Sequence, residues 1–170
     1  MNGTLYTVLF LLFFVIAFIA IVLTVVTAKV FIKNLIKHRK ANSIPKKLVV
    51  STIVFVCFTG FLFYQQYYNL EYLPAGHYNG TFVSPEGTYE VRTYYMTVLY
   101  GEHATAILYE KESNKQKTIY FNDCDHRPSV KWLSEHEVKV GSATLNLEEN
   151  ETYDFRHDPT NLCYPPTTNL

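Results

Sequence analysis

The chain has 170 residues, a formal net charge of zero, 48% hydrophobic residues and 16% aromatic ones, which limits it to one or two small domains and excludes disorder throughout. The zero is a balance of opposites: residues 1–70 hold seven Lys or Arg and no Asp or Glu, whereas residues 71–170 hold the remaining bases and all fifteen acids. That polarity excludes a one-domain soluble enzyme, the hydrophobic setting of the basic residues excludes an ordinary nucleic-acid binder, and three cysteines exclude a dense disulfide scaffold.

Leu5 to Ala28 is uncharged and dominated by Leu, Phe, Ile and Val. As a helix it would run about 36 Å, enough to cross a hydrocarbon core of about 30 Å. It has no basic segment before it and no small-x-small pattern at its end, so it reads as a retained span and not a cleaved leader. Leu48 to Tyr68 is a second uncharged run. Its Ser51, Thr52 and Thr59 can bond back to their own helix, and Gln65 and Gln66 lie near one end.

Between the runs lie Lys29, Lys33, Lys37, Arg39, Lys40, Lys46 and Lys47. Basic residues in short loops stay on the cytoplasmic side and are attracted to anionic head groups. The expectation is a transmembrane hairpin over residues 1–70, with the loop 33–47 cytoplasmic and the N-terminus and everything after Leu70 outside. Tyr6 and Phe10 at one end, and Tyr64, Tyr67, Tyr68 and Tyr72 at the other, then fall at the outer interface, where aromatic residues are favoured. The four-residue spacing of Lys29, Lys33 and Lys37 gives one stripe on a continued helix, read as a membrane-surface anchor, with a specific lipid or partner site as the alternative. Ser43, Ile44 and Pro45 resemble a helix restart, Ser as N-cap and Pro in the first turn. Neither run contains an ionisable Asp, Glu, Lys, Arg or His, so the pair reads as an anchor and not a transport path, with Cys57 a small packing residue.

From Glu71 the period changes to that of strands. Seven short ones are expected: Tyr78–Val83, Thr88–Thr97, Ala104–Lys111, Lys117–Phe121, Ser129–Leu133, Glu137–Val140 and Ala143–Leu147. Ser84-Pro85-Glu86-Gly87 and Ser113-Asn114-Lys115 mark turns, and Gly141-Ser142 a tight corner. The fold class is therefore two transmembrane helices followed by a small all-β extracytoplasmic domain over 71–157, an antiparallel sheet or sandwich. Trp132, Tyr94, Tyr95, Ile107, Tyr109, Ile119, Phe121 and Leu133 are the expected core. Residues 158–170, with Pro159, Pro165 and Pro166, read as a flexible tail.

The stretch LPAGHYNGTFVSPEGTYEVRTYY (73–95), then KTIYFND and VKWLSEHEVKVGSATLNLEENETYDFR, resembles a family of small membrane-anchored proteins of Gram-positive bacteria classed as a domain of unknown function. The resemblance covers about residues 70–157. Its marks are Leu73-Pro74-x-Gly76, the Ser84-Pro85-x-Gly87 turn, the Trp132 strand and the closing Thr152-Tyr153-Asp154. It implies an outer location and no assigned activity.

The densest polar cluster is Asn122-Asp123-Cys124-Asp125-His126-Arg127. Asp123, Asp125 and His126, with His103 or His157, carry the donor types of a zinc or manganese site. Cys124 with His126 as base is a minimal nucleophile pair. The plainer reading is a solvated loop, because no CxxC, HExxH, G-x-S-x-G or phosphate loop supports chemistry here. Cys124 and Cys163 both lie on the outer side and are a possible disulfide, closing a loop of about 40 residues. Two functions follow. The first is a binding or interaction module with no cofactor or catalytic set, whose partners are membrane lipids and an unknown protein or ligand on the outer face, not nucleic acid. The alternative is a metal-dependent cell-surface enzyme or metal sensor built on the Asp123–His126 loop.

Overall fold

A computed structural model describes residues 3–36, 45–74, 76–98, 101–125 and 127–158. Lys37, Arg39, Lys40, Ser43, His126, Cys163 and the tail from 159 lie outside the described residues. Contacts divide the chain into a helical unit, Thr4–Asn69, and a β unit that begins at Leu70.

Helix α1 spans Gly3–Ile36 and α2 spans Lys46–Tyr67; both are long and apolar enough to cross a membrane. Pro45 stands at the N-cap of α2, where its carbonyl accepts from Leu48 N at 3.0 Å. Thr52 and Thr59 bond back to Leu48 O and Phe55 O, as their position in an apolar helix requires. The two helices pack antiparallel. The Thr27 and Thr52 hydroxyls meet at 2.8 Å, while Gln66 Nε2 donates to Leu9 O at 3.2 Å and Phe13 faces Phe63. Among the described residues of the pair Ile16, Ala20 and Leu62 are buried, and large side chains such as Phe18 (68% exposed) and Ile21 point outward on the rest.

Among the described residues the β unit has eight strands: β1 His77–Val83, β2 Tyr89–Val98, β3 Gly101–Glu110, β4 Lys115–Asn122, β5 Val130–Trp132, β6 Glu137–Val140, β7 Ala143–Asn146 and β8 Tyr153–Asp154. They form a five-stranded sheet, β1-β2-β3-β4-β8, and a three-stranded sheet, β5-β6-β7. Every pair is antiparallel except β4 with β8. The eighth strand, unexpected from the sequence, is two residues long and too short to show a period.

Val91, Ala104, Ala106, Ile119 and Tyr120 of the larger sheet face Val138, Val140 and Leu145 of the smaller one, and these residues form the core. Trp132 packs against it half-buried, with its indole N–H on the Phe82 carbonyl at 3.4 Å. Ile119 and Tyr120 are both buried, although they are neighbours in a strand, because β4 carries a bulge: Ala106 pairs with Tyr120 and Ile107 with Thr118, so Ile119 is the extra residue.

The expected core is corrected at several positions. Leu133 is 48% exposed, beyond the last pair of β5. Tyr94, Ile107 and Tyr109 alternate with the core-facing Thr93, Ala106 and Leu108 and lie on the opposite, outer face of the larger sheet. Phe121 is buried as expected, on that outer face, under His103 and Arg156.

Candidate recognition surface and the Asn122–Arg127 loop

The polar loop after β4 is held by its own residues. Asn122 Oδ1 accepts from Cys124 N at 2.9 Å, and Asn122 Nδ2 donates to the Tyr120 hydroxyl at 3.0 Å. That hydroxyl donates to Asp125 Oδ2 at 3.1 Å. Tyr120 is fully buried and stacked on Tyr153, and burial, reinforced by the Asp125 charge, pushes its hydroxyl far above the ordinary phenol range. Gly141 closes the network from the other sheet. It has φ +56°, and a Cβ there would run into the Tyr120 hydroxyl and lie 2.7 Å from Asp125 Oδ2.

Asp123 turns elsewhere. Its Oδ1 lies 3.1 Å from His103 Nδ1. Burial raises the Asp123 carboxyl above its usual value, opposed by the charges of His103 and Arg156; burial lowers the His103 imidazole, opposed by Asp123. Asp154 is gripped by Arg156 in two places and approached by His157 at 3.8 Å.

The structure brings two of the metal-site candidates together, Asp123 and His103, and turns the other described ones elsewhere. Asp125 is committed to a buried tyrosine, Asp123 to His103, and His157 to Asp154, while His126 lies outside the described residues. Among the described residues no three His, Cys, Asp or Glu side chains are grouped to hold a metal ion. Cys124 is disulfide-bonded, so the thiolate of a Cys124–His126 pair is not present. Of the basic stripe, Lys29 and Lys33 lie on the last turns of α1 and Lys46 and Lys47 open α2.

The sequence reading missed a surface. On the outer face of the larger sheet, Tyr78 is 58% exposed and meets Tyr94 edge-on, with ring centroids 6.0 Å apart. Tyr94 is hydrogen-bonded to Tyr109, and burial followed by that bond raises its hydroxyl above the ordinary value. The Arg92 guanidinium lies 4.1 Å above the Tyr109 ring and is held by Glu90. Three strands thus present a continuous strip of tyrosine faces with one oriented cation.

A short 3-10 turn, Leu70–Tyr72, borders this strip. Its Glu71 carboxylate accepts from the Thr118 N–H and hydroxyl of β4. The chain then passes β2 so closely at Gly76 that any Cβ would collide with the Tyr95 carbonyl, which gives the Leu73-Pro74-x-Gly76 mark a steric reason. Between this segment and the sheet lies a cleft of about 240 Å³ bounded by Glu71, Pro74, Tyr94, Ile107 and Tyr109. The signal that locates the strip is the register of β2: Tyr94 and Tyr95 are neighbours and cannot both face the core, and the small Ala104 and Ala106 mark which face of β3 is packed.

Fold and surface together define a two-helix protein carrying a two-sheet β domain. The chain belongs to the family described as "Family of unknown function (DUF5412)", whose model matches residues 42–158, taking in α2 and every strand. No curated protein and no solved structure matches the chain.

Proposed function

We propose that the protein is anchored in a membrane by the α1–α2 hairpin, displays its β domain outside the cytoplasm, as in the Gram-positive proteins it resembles, and binds a partner protein there through the tyrosine strip. Membrane placement is supported by the exterior of the helix pair, where Leu, Ile, Val and Phe stand exposed in every turn and need hydrocarbon as solvent. Orientation is supported by the cluster of lysines at the shared end of the helices. The oxidised Cys124 fits a non-cytoplasmic compartment.

The binding reading is carried by one observation: Tyr78, Tyr94, Tyr109 and Arg92 form a preorganised strip outside the core. Tyrosine and arginine dominate the energetic centres of protein interfaces, and here their mutual contacts have already restricted their rotamers before any partner arrives.

Site-specific photocrosslinking in cells expressing the full chain tests this. A photoreactive residue at Tyr78 should give a defined adduct that is lost when Tyr94→Ala and Tyr109→Ala are added, while one at Lys139 on the other sheet should give none. An adduct from position 139 alone would remove the strip from consideration.

A further inference from the structure

The face of α1 turned away from α2 carries one continuous stripe. Thr27 touches Thr52 and Phe13 faces Phe63, so positions 13, 20 and 27 mark the side packed on α2, where Ala20 is buried. Leu11, Val15, Phe18, Val22 and Val25 follow one another at steps of three and four residues on the opposite side, and all are exposed. The same steps lead on to Lys29, then to Ile32 and Lys33, and to Ile36. The stripe therefore changes character once along its length, from purely apolar to two bases one turn apart.

Those bases border a cleft of about 250 Å³ lined by Lys29, Ile32, Lys33 and Ile36. Residues 1–70 contain no Asp or Glu, so no carboxylate of the helical unit neutralises them. Each lysine can lay its aliphatic stem along the isoleucines and hold its ammonium at the rim. The bases of α2 are arranged differently. Lys46 and Lys47 are consecutive in its first turn, and consecutive helical residues point about 100° apart, so they do not converge on one group. Lys29 and Lys33 do. The apolar stripe below them also has the right length. From Phe18 to Lys29 a helix rises about 16 Å, close to half of a hydrocarbon core of about 30 Å. An acyl chain lying on the stripe would thus bring its own head group to the level of the two ammonium groups.

We propose that the outward stripe of α1 is a binding site for one anionic phospholipid, its phosphate between Lys29 and Lys33 and an acyl chain along Val25, Val22 and Phe18. A zwitterionic lipid carries a cation of its own in the head group and gains less from two adjacent bases. The site rests on the membrane placement proposed above and is independent of what the tyrosine strip binds.

Native mass spectrometry of the full chain, purified in detergent and exposed to equal amounts of dioleoyl phosphatidylglycerol and dioleoyl phosphatidylcholine, tests it. One phosphatidylglycerol per chain should be retained, favoured over phosphatidylcholine by about tenfold or more. Lys29→Gln combined with Lys33→Gln should abolish that preference, whereas Lys46→Gln combined with Lys47→Gln should leave most of it. An excess of glycerol phosphate, the head group without its chains, should not displace the bound lipid. Equal retention of the two lipids, equal losses in the two double variants, or displacement by glycerol phosphate would overturn the proposal. A chain that stays dispersed as a monomer after the detergent is removed would instead overturn the membrane placement itself, so the two failures are distinguishable.

Discussion

Glu135 and Gly141 illustrate how single residues tie the two sheets. The Glu135 carboxylate, in the β5–β6 turn, accepts from the Ser84 hydroxyl at 2.6 Å and from the Glu86 and Thr88 N–H groups of the β1–β2 turn. Burial works against its charge, but these donors outweigh it and hold the carboxyl below its ordinary value of 4.5. A carboxyl held low when folded contributes stability that is complete above the unfolded value and fades as pH falls through the folded one. Glu135→Gln should therefore lower the midpoint of thermal unfolding at pH 7, and its deficit relative to wild type should shrink below about pH 4.5. Gly141→Ala must strain a positive φ and displace the Tyr120–Asp125 pair, so a loss of about 2–4 kcal/mol in chemical denaturation is expected. For the Asp123–His103 pair the sign is also fixed. The Asp123 charge raises the His103 imidazole against burial, so Asp123→Asn should move the His103 titration, followed by NMR, to lower pH.

At the scale of elements, Trp132 joins strand β5 to the end of β1 and packs on the core from the side. Trp132→Ala should cost about 2–3 kcal/mol of unfolding free energy, less than the 3–5 typical of a fully buried aromatic. In the helix pair, replacing Thr27 and Thr52 by Val removes the hydroxyl contact between the helices, and a modest weakening of about 0.6 kcal/mol is expected in a detergent or bilayer association assay.

The elements themselves were largely legible: two uncharged runs gave the helices, and seven of eight strands follow from alternation and turn residues. Faces were less so. Large apolar residues such as Ile107 and Tyr109 attract a core assignment, yet the register places them outward, because the packed face of β3 uses Ala104 and Ala106 to admit Tyr120. The bulge at Ile119 reverses the alternation within β4, and no local residue pattern announces it. The Asp123–Arg127 cluster looked like a site because its donors are neighbours in sequence. The fold sends Asp123 and Asp125 to different partners, and the tyrosine strip, scattered over three strands, shows only when the strands pair.

For the molecule as a whole, charge is unevenly placed along the chain: seven bases gather about the inter-helix loop with no acid among them, and all fifteen acids lie after residue 70 beside the other eight bases. In the proposed topology the seven bases beside the helix ends are the orienting device, since they stay with the cytoplasmic leaflet while the distant β domain is free to cross. The match to the family begins at residue 42, between the helices, so α2 and the β domain fall inside the matched region and α1 precedes it.

The topology is tested most directly by labelling single introduced cysteines in intact cells with a membrane-impermeant maleimide, one at Thr81 on the outer face of β1 and one at Asn42 between the helices. The account predicts that Thr81→Cys is labelled without permeabilisation and Asn42→Cys only after it. Labelling of Asn42→Cys in intact cells, with Thr81→Cys protected until the membrane is opened, would contradict it.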